Sequence, residues 1–148
     1  MPTEQLAELT QPQRDRLAFV ELRVRFIGEI RRQDLVSRFG IQSAAATRDL
    51  AVYKDLSSGN IDYDSKAKSY VLTDEFRPLF DFPPERVLSW LTQGFGDGEP
   101  MRLKPWVISE VPTRLTHPDL DVLAAVTRAI HQECPLAIEY HSISSGCT

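Results

Sequence analysis

Between residues 30 and 56 the apolar positions recur at helical spacing in two short runs that a glycine separates. The first run predicts a helix that buries one stripe, formed by Leu35, Val36 and Phe39. Gly40 follows at once, where a helix C-cap favours a residue that can adopt a positive φ. Ile41 is then predicted to point back into the core. The pattern indicates a helix, a tight turn and a second helix.

The second helix is predicted to begin at Gln42-Ser43, with Ser43 as its N-cap. Its buried face is formed by residues three or four positions apart: Ala46, Leu50 and Tyr53. On or near the opposite face lie small or apolar side chains and one arginine: Ala44, Ala45, Arg48, Ala51 and Val52. An exposed helix face with so little charge is unusual unless a partner approaches it closely. The DNA major groove is such a partner, because it admits a helix and its thymine methyl groups accept small apolar contacts.

A short hairpin is predicted immediately after the two helices. Residues 60–64 alternate polar and apolar side chains, residues 64–68 form a polar turn, and residues 69–72 are typical of a returning strand. Two helices followed by a hairpin with lysines at its tip define a winged helix. The predicted fold class is therefore α+β, mainly α.

A strong helix from Gln13 to Ile27 precedes this motif. Its main apolar stripe is formed by Leu17, Val20, Val24 and Ile27. A second stripe is formed by Phe19, Leu22 and Phe26. The long helix and the two short helices after it form the predicted DNA-binding head. Such a three-helix head needs only the first stripe, so the second stripe indicates either broad core packing or a contact with another subunit or domain.

Prolines at positions 78, 83 and 84 mark a boundary after the hairpin. We predict a winged helix-turn-helix domain over residues 1–77, a linker and dimerisation region over 78–117, and a third segment over 118–148. In the linker, a short helix begins at Pro84, and Trp106–Val111 is extended.

The third segment is predicted to contain one helix and one strand. The helix runs from Pro118 to Gln132, and its buried side is expected to include Ile130 and His131. The strand runs from Leu136 to His141.

Apolar residues beyond the needs of one head predict a homodimer that is held by the region after Pro78, with help from the first helix. These residues are Phe19, Phe26, Trp90, Leu91, Trp106, Val107 and Ile108. The open edge of the last predicted strand would also attract a partner. The alternative is that these residues cover one another within a monomer.

The net charge is −4, but the charges are unevenly distributed. Residues 12–55 carry nine basic and six acidic side chains, whereas residues 74–148 carry six basic and eleven acidic ones. Phosphate contact requires local positive charge rather than a basic whole protein. The distribution therefore fits a basic DNA-reading head on an acidic body.

The composition narrows the class of protein further. The length of 148 residues and the hydrophobic content of 42% suit one domain, or a small domain with an appendage. No apolar run is long enough to span a bilayer, and the polar, acidic N-terminus excludes a secretory signal. The two cysteines imply no disulfide framework. These features predict a cytoplasmic protein with no membrane association.

Two patterns could carry chemistry, and both are weak. The glycine-rich segment 94–98 follows a predicted helix, whereas a dinucleotide-binding loop follows a strand and opens a helix. His131, Cys134 and His141 have no established metal-ligand spacing. The sequence therefore predicts no catalytic, cofactor-binding or metal site, and the chain is not expected to be an enzyme.

The residues predicted to contact double-stranded DNA lie around the two short helices and at the hairpin tip: Arg31, Arg32, Gln42, Ser43, Ala45, Thr47, Arg48, Lys54, Lys66 and Lys68. Arg48 is predicted to touch a phosphate or a base edge, and Arg31, Arg32 and the two tip lysines are predicted to act on phosphates. The alternative is a winged-helix module that binds proteins, since that fold also serves as a scaffold. A scaffold has no need to bring these basic side chains to one surface.

Three segments carry a resemblance to a known family: RDRLAFVELRVRFIGEIRRQDLVSRFGIQSAAATRDLAVYKDL in the head, YVLTDEFRPLF after the hairpin, and LAIEYHSISSG near the end. Together they resemble the N-terminal half of a bacterial WYL-domain transcriptional regulator, and most closely the subgroup that represses phage-defence operons. The resemblance implies a sequence-specific DNA-binding repressor. Because a lone winged helix reads only a few base pairs, we expect two copies to bind an inverted-repeat operator as a dimer.

The resemblance also implies that residues 118–148 begin a WYL domain, a small Sm-like β-barrel that senses a ligand, often nucleic acid or a nucleotide. Only the first helix and strand of such a barrel fit, and the Trp-Tyr-Leu tripeptide that names the domain is absent. We therefore expect a truncated form of such a regulator, with an incomplete barrel. A nucleotide or nucleic-acid ligand is expected only in a full-length form.

Overall fold

The computed structural model describes residues 2–93 and 119–139. Its helices and strands follow in this order: α1 (Pro2–Ala7), α2 (Gln11–Ile27), β1 (Glu29–Ile30), α3 (Arg32–Phe39), α4 (Ser43–Ser57), β2 (Ile61–Asp64), β3 (Ser69–Leu72), α5 (Pro84–Gln93) and α6 (Leu120–Gln132). The predicted winged helix is confirmed, because α2, α3 and α4 are followed by the β2–β3 hairpin. No helix within the described ranges is both long and apolar enough to cross a membrane.

Helix α2 is the central element, and its sequence fixes both of its ends. The hydroxyl of Thr10 accepts a hydrogen bond from the Gln13 amide, and the Gln13 side chain accepts one from the Thr10 amide, each at 3.3 Å. This reciprocal capping box satisfies two amides that the first turn leaves without helical partners. The helix stops at Gly28, whose φ of 101° is one that L side chains rarely adopt.

Two apolar clusters form on different sides of α2. The head cluster consists of Leu17, Phe19, Val20, Val24, Ile30, Leu35, Ala46, Leu50, Tyr53 and Ile61. The second cluster consists of Leu22, Phe26, Ile27, Phe82, Val87, Trp90, Leu91 and Ala124. The second stripe of α2 is thus used largely to dock α5 and α6 onto the head.

This packing corrects part of the expected dimer surface. Phe19, Phe26, Trp90 and Leu91 are all at most 8% exposed within the single chain. Their burial by neighbours in the same chain leaves almost no area for a second copy, so assigning them to a dimer contact was wrong. Trp106, Val107 and Ile108 lie outside the described residues.

The hairpin belongs to a three-stranded antiparallel sheet with the strand order β1-β3-β2. Ile30 pairs with Tyr70, and Tyr70 pairs in turn with Tyr63 on the other side. Strand β1 was not predicted, because two residues are too few to show an alternating pattern. Because β1 pairs with β3, it joins the start of α3 to the hairpin. The β2–β3 hairpin is called the wing from here on.

Helix α6 docks on α2 through polar as well as apolar contacts. Arg25 Nη2 lies 2.9 Å from Asp121 Oδ1, and Arg128 Nη1 donates to the Arg25 carbonyl at 2.6 Å. Burial, reinforced by the nearby positive charge of Arg25, lowers the pKa of the Arg128 guanidinium. The helix itself is capped by the Asp119 carboxylate, which accepts from the amides of Asp121 and Val122.

Three sequence expectations are wrong in detail. The N-cap of α4 is Gln42 rather than Ser43, which is the first helical residue. Ile130 and His131 are exposed, because the side of α6 that meets α2 and α5 is centred on Ala124 and Thr127. Residues 136–139 form no strand, since no described segment pairs with them, and residues 140 and 141 lie outside the described part of the chain.

Candidate nucleic-acid interface

The inner face of α4 holds the helix against the head. Ala46, Leu50 and Tyr53 are at most 1% exposed, as the spacing of these residues predicts. Asp49 shares this face and forms an ion pair with Arg16 of α2, with 2.5 Å between Arg16 Nε and Asp49 Oδ2. Arg16 Nη2 reaches the other carboxylate oxygen at 3.4 Å. Such a two-point contact fixes the rotation of α4 about its axis as well as its distance from α2.

A buried carboxylate anchors the far end of the same face. Glu21 Oε1 accepts the Tyr53 hydroxyl at 2.9 Å and the Leu79 amide at 2.7 Å, and Oε2 accepts the Phe80 amide at 2.8 Å. Burial raises the pKa of Glu21, although these donors and the charge of Arg25 oppose that shift. Burial and the neighbouring Glu21 charge likewise raise the pKa of Tyr53. Tyr53 therefore remains a hydroxyl donor.

The chain that leaves the wing is tied into this network. Asn60 Nδ2 donates to the Tyr53 hydroxyl at 3.2 Å and to the Arg77 carbonyl at 2.7 Å. Asn60 Oδ1 accepts from the Arg77 amide at 2.8 Å. Residues 77–80 are consequently held behind α4 by side chains of α2 and of the start of the wing. The position and orientation of α4 therefore depend on α2, on the start of the wing and on residues 77–80 together.

The outer face of α4 contrasts with the inner one. Ala44, Thr47, Arg48 and Ala51 are exposed and recur at helical spacing, so they form one stripe. Ala45 is only half-buried at the edge of that stripe, and Val52 is half-buried against the head cluster. Among the described residues of α4, the stripe carries a single charge, that of Arg48, before it reaches Asp55 near the end of the helix.

The electrostatics favour approach of an anion to the first half of α4. The helix dipole places partial positive charge at Ser43, and Arg48 follows in the second turn. Arg31 and Arg32, where α3 begins, are exposed, while the Arg31 amide is capped by Asp34 Oδ2 at 2.7 Å. Lys54 is exposed in the last turn, beside Asp55, where a cation stabilises the helix carboxyl end. Of the predicted residues, Lys54 is therefore the least favourably placed.

The wing adds further positive charge. Asp64 Oδ1 accepts from the amides of Lys66 and Ala67 at 2.9 and 3.2 Å, which shapes the tip into a tight turn. Lys66 and Lys68 are both exposed. Lys68 has a φ of 54°, an unusual left-handed conformation for a residue other than glycine.

The structure brings part of the predicted set together. Arg32, Thr47 and Lys68 line one small pocket between α4 and the wing, together with Leu50, Tyr63 and Tyr70. Gln42, Ser43, Arg31 and Arg48 are exposed at or near the amino ends of α3 and α4, and Lys66 is exposed at the wing tip.

Four residues were missing from the predicted set although they share this surface: Ala44, Ala51, Tyr63 and Tyr70. For the two alanines the signal was present, since they lie at helical spacing from Thr47 and Arg48. For the tyrosines it was not, because which face of a hairpin meets a helix depends on tertiary packing.

These features define the class of protein. The domain consists of three helices, α2, α3 and α4, followed by the wing. The exposed face of α4 is nearly uncharged and has cations near it. This arrangement is a winged helix-turn-helix domain of the kind that binds DNA. Residues 12–93 match the BrxR transcriptional regulator winged helix-turn-helix domain. The chain belongs to this family.

Relatives agree with that assignment. The chain is 29% identical, over 143 residues, to the DNA-binding transcriptional repressor CapW of Escherichia coli (strain KTE188). This alignment covers 89% of the present chain and 46% of the relative. It is 37% identical over 67 residues to the CapW of Stenotrophomonas maltophilia, covering 45% of this chain and 22% of the relative. The CapW of Pseudomonas aeruginosa is 27% identical over 144 residues, and the alignment covers 89% of this chain and 46% of the relative.

The chain spans about half the length, 46%, of the E. coli and P. aeruginosa relatives. The family and the names of the relatives are those of transcription regulators and not of enzymes.

Proposed function

We propose that this chain binds double-stranded DNA sequence-specifically and represses transcription, with the outer face of α4 in the major groove. The observation that carries the proposal is the contrast between the two faces of α4. The inner face is fixed by an ion pair and a buried carboxylate, while the outer face presents Ala44, Thr47, Arg48 and Ala51 to solvent. Short side chains allow the helix backbone to approach base edges, and Arg48 can donate two hydrogen bonds to a guanine.

The flanking cations give this helix a register on the DNA backbone. Arg32 and Lys68 line a pocket with Thr47, so positive charge lies beside the outer face of α4, and the exposed Arg31 and Lys66 are close to them in the chain. Such contacts are sequence-independent and orient the reading helix, whereas base contacts supply specificity. Gln42, Ser43 and Thr47 are proposed to reach bases or phosphates at the start of α4.

A repressor of this kind is proposed to act as a homodimer on an inverted repeat, since one head reads only a few base pairs. The surface proposed for pairing lies after Pro78. Support comes from α6, whose exposed side carries Val122, Val126 and Ile130 one turn apart at 62%, 36% and 52% exposure. We propose that the protein acts in the cytoplasm and that the genes it regulates form a phage-defence operon. The second proposal rests on the three sequence segments that resemble repressors of such operons.

The decisive experiment selects bound duplexes from a random pool with the full chain. An enriched inverted repeat is expected, and no enrichment over the input pool would contradict sequence-specific binding. Arg48→Ala should lose the selected preference, whereas the matched control Arg86→Ala removes one exposed cation from α5 and should keep it.

Pairing is tested separately by light scattering over a dilution series, with and without the selected duplex. Ile130→Lys places a charge on the exposed side of α6 and should shift the mass of a dimer to that of a monomer. A wild-type monomer at micromolar concentration that still binds the repeat one copy at a time would contradict the dimer while leaving DNA binding intact.

A further inference from the structure

The pocket between α4 and the wing has the size and lining of a site for a small anion. Its volume is about 290 Å³, at the lower limit of the range of small-molecule sites, so it suits a single small group. Arg32 and Lys68 supply two cations, and Thr47, Tyr63 and Tyr70 supply hydroxyl groups. None of the described residues that line it is acidic. Leu50, at 1% exposure, belongs to the head cluster and makes this pocket continuous with the core.

The aromatic pair in this pocket is unusually placed. Tyr63 and Tyr70 are cross-strand neighbours with ring centroids 5.1 Å apart. Alternation along β2 puts Tyr63 on the same face as Ile61, which is fully buried in the head cluster, yet Tyr63 is 53% exposed. The inner face of the wing therefore continues from the core through the half-buried Tyr70 to the exposed Tyr63, and both rings line the pocket beside Thr47 and Leu50 of α4.

Lys68 ends the tight turn of the wing in a left-handed backbone conformation. Its φ of 54° would suit glycine or asparagine better, and a lysine there strains the backbone. The turn geometry requires a left-handed residue here, and the choice of lysine over glycine or asparagine places a cation at this position. Here the lysine side chain lines the pocket.

We propose that this pocket seats one phosphodiester of the bound DNA, held by Lys68 and Arg32 and flanked by the Tyr63–Tyr70 pair. The site lies between the helix assigned to the major groove and the wing, where a DNA strand must pass if both elements touch the duplex. A phosphate there fixes the distance between wing and reading helix on the DNA. This inference rests on the proposed function and adds to it a particular phosphate site and two tyrosines.

A duplex with methylphosphonate at single positions tests the proposal. The repeat selected by the wild type is synthesised with one neutral linkage at a time, and binding of the full chain is compared with that of Lys68→Gly. At one linkage in each half-site, neutralisation should weaken wild-type binding about tenfold and weaken the binding of Lys68→Gly clearly less, since only Arg32 then holds that phosphate. Arg86→Ala is the matched control, since it removes an exposed cation from α5 that does not line the pocket, and it should retain the wild-type pattern.

Two further measurements separate binding from folding. Lys68→Gly should bind the unmodified duplex about tenfold more weakly while its melting temperature stays equal or rises, because glycine relieves the left-handed strain. Tyr63→Phe, at an exposed position, should keep the fold and lose affinity if its hydroxyl donates to the phosphate. A fall in the melting temperature of Lys68→Gly together with unchanged affinity would assign Lys68 to the fold alone.

The outcomes distinguish this inference from the proposed function. If the wild type binds duplex but no linkage couples to Lys68, only the phosphate site is overturned. If the wild type binds no duplex, the proposed function fails and this site fails with it. If inorganic phosphate saturates the pocket in an NMR titration of the wild type without weakening duplex binding, the pocket is a free-anion site and the inference is wrong.

Discussion

The inner and outer faces of α4 carry opposite kinds of side chains. The inner face is engaged by apolar burial, the Arg16–Asp49 ion pair and the hydrogen bond from Tyr53 to Glu21. The outer face carries short, exposed side chains and little charge apart from Arg48. Stability and recognition are thus separated on one helix, so changes on one face should alter folding and changes on the other should alter binding.

This separation has a physical reason. A helix that reads bases must be held in one rotational setting, because a turn of a few tens of degrees would move Arg48 away from its target. Apolar contacts alone are poorly directional, whereas hydrogen bonds and ion pairs require defined geometry. The polar groups buried behind α4 therefore act to orient it, and their cost of burial is offset by satisfied partners.

The largest effect should follow from Glu21→Ala. The variant leaves the Tyr53 hydroxyl and the amides of Leu79 and Phe80 without their acceptor in a buried site. Each stranded donor costs about 1–3 kcal/mol, so the free energy of unfolding should fall by at least about 3 kcal/mol. Urea unfolding followed by circular dichroism measures this loss. Glu8→Ala, at an exposed carboxylate, is the control, and a fall of under about 1 kcal/mol for Glu21→Ala would refute the orienting network.

A smaller loss is expected from Asp49→Ala on the same face. Its partner Arg16 has a side chain that is 17% exposed, so it regains only part of its hydration when the carboxylate is removed. We expect about 2–3 kcal/mol of destabilisation, below the loss for a fully buried pair. A double-mutant cycle with Arg16→Ala isolates the pair itself, and a coupling energy near zero would show that the ion pair does not hold α4.

The sequence predicted the inner face better than the outer surface, and the reason lies in which information is local. Helical spacing alone identified Ala46, Leu50 and Tyr53, and a glycine at position 40 marked the turn. Glu21 was not predicted as an anchor, because its partners at residues 79 and 80 are distant in the chain. Tyr63 was not included in the predicted set, because which face of the hairpin meets α4 depends on tertiary packing.

The region after the wing shows the limit of sequence patterns more plainly. A helix beginning at Pro84 and a helix from Pro118 to Gln132 were predicted, and the structure confirms helices over residues 84–93 and 120–132. Which of their faces is buried depended on docking to α2, so Ile130 was assigned to the wrong side. The domain limits at residues 77 and 117 and the start of a WYL barrel remain predictions.

On the outer face, Arg48→Ala should change binding without changing stability. Its side chain is exposed, so the melting temperature is expected to move by less than the error of measurement, whereas affinity for the selected duplex should fall by roughly 1–3 kcal/mol. Fluorescence anisotropy on that duplex and on a scrambled one measures both affinity and discrimination. Equal binding by wild type and variant would remove Arg48 from the interface, and a large fall in melting temperature would contradict the separation of the two faces.

The smallest effect concerns cations at the edges of the outer surface. Lys66→Ala at the wing tip should lower the slope of log affinity against log salt by about one unit if it meets a phosphate, with base preference unchanged. Lys54→Ala provides the comparison, because Lys54 lies in the last turn of α4 beside the acidic Asp55 and should change the slope less. An unaltered slope for Lys66→Ala would make that lysine a solvated turn residue, and a larger change at Lys54 would mean that DNA follows α4 along its whole length. The pair of slopes therefore measures how far the reading surface extends from the amino end of α4.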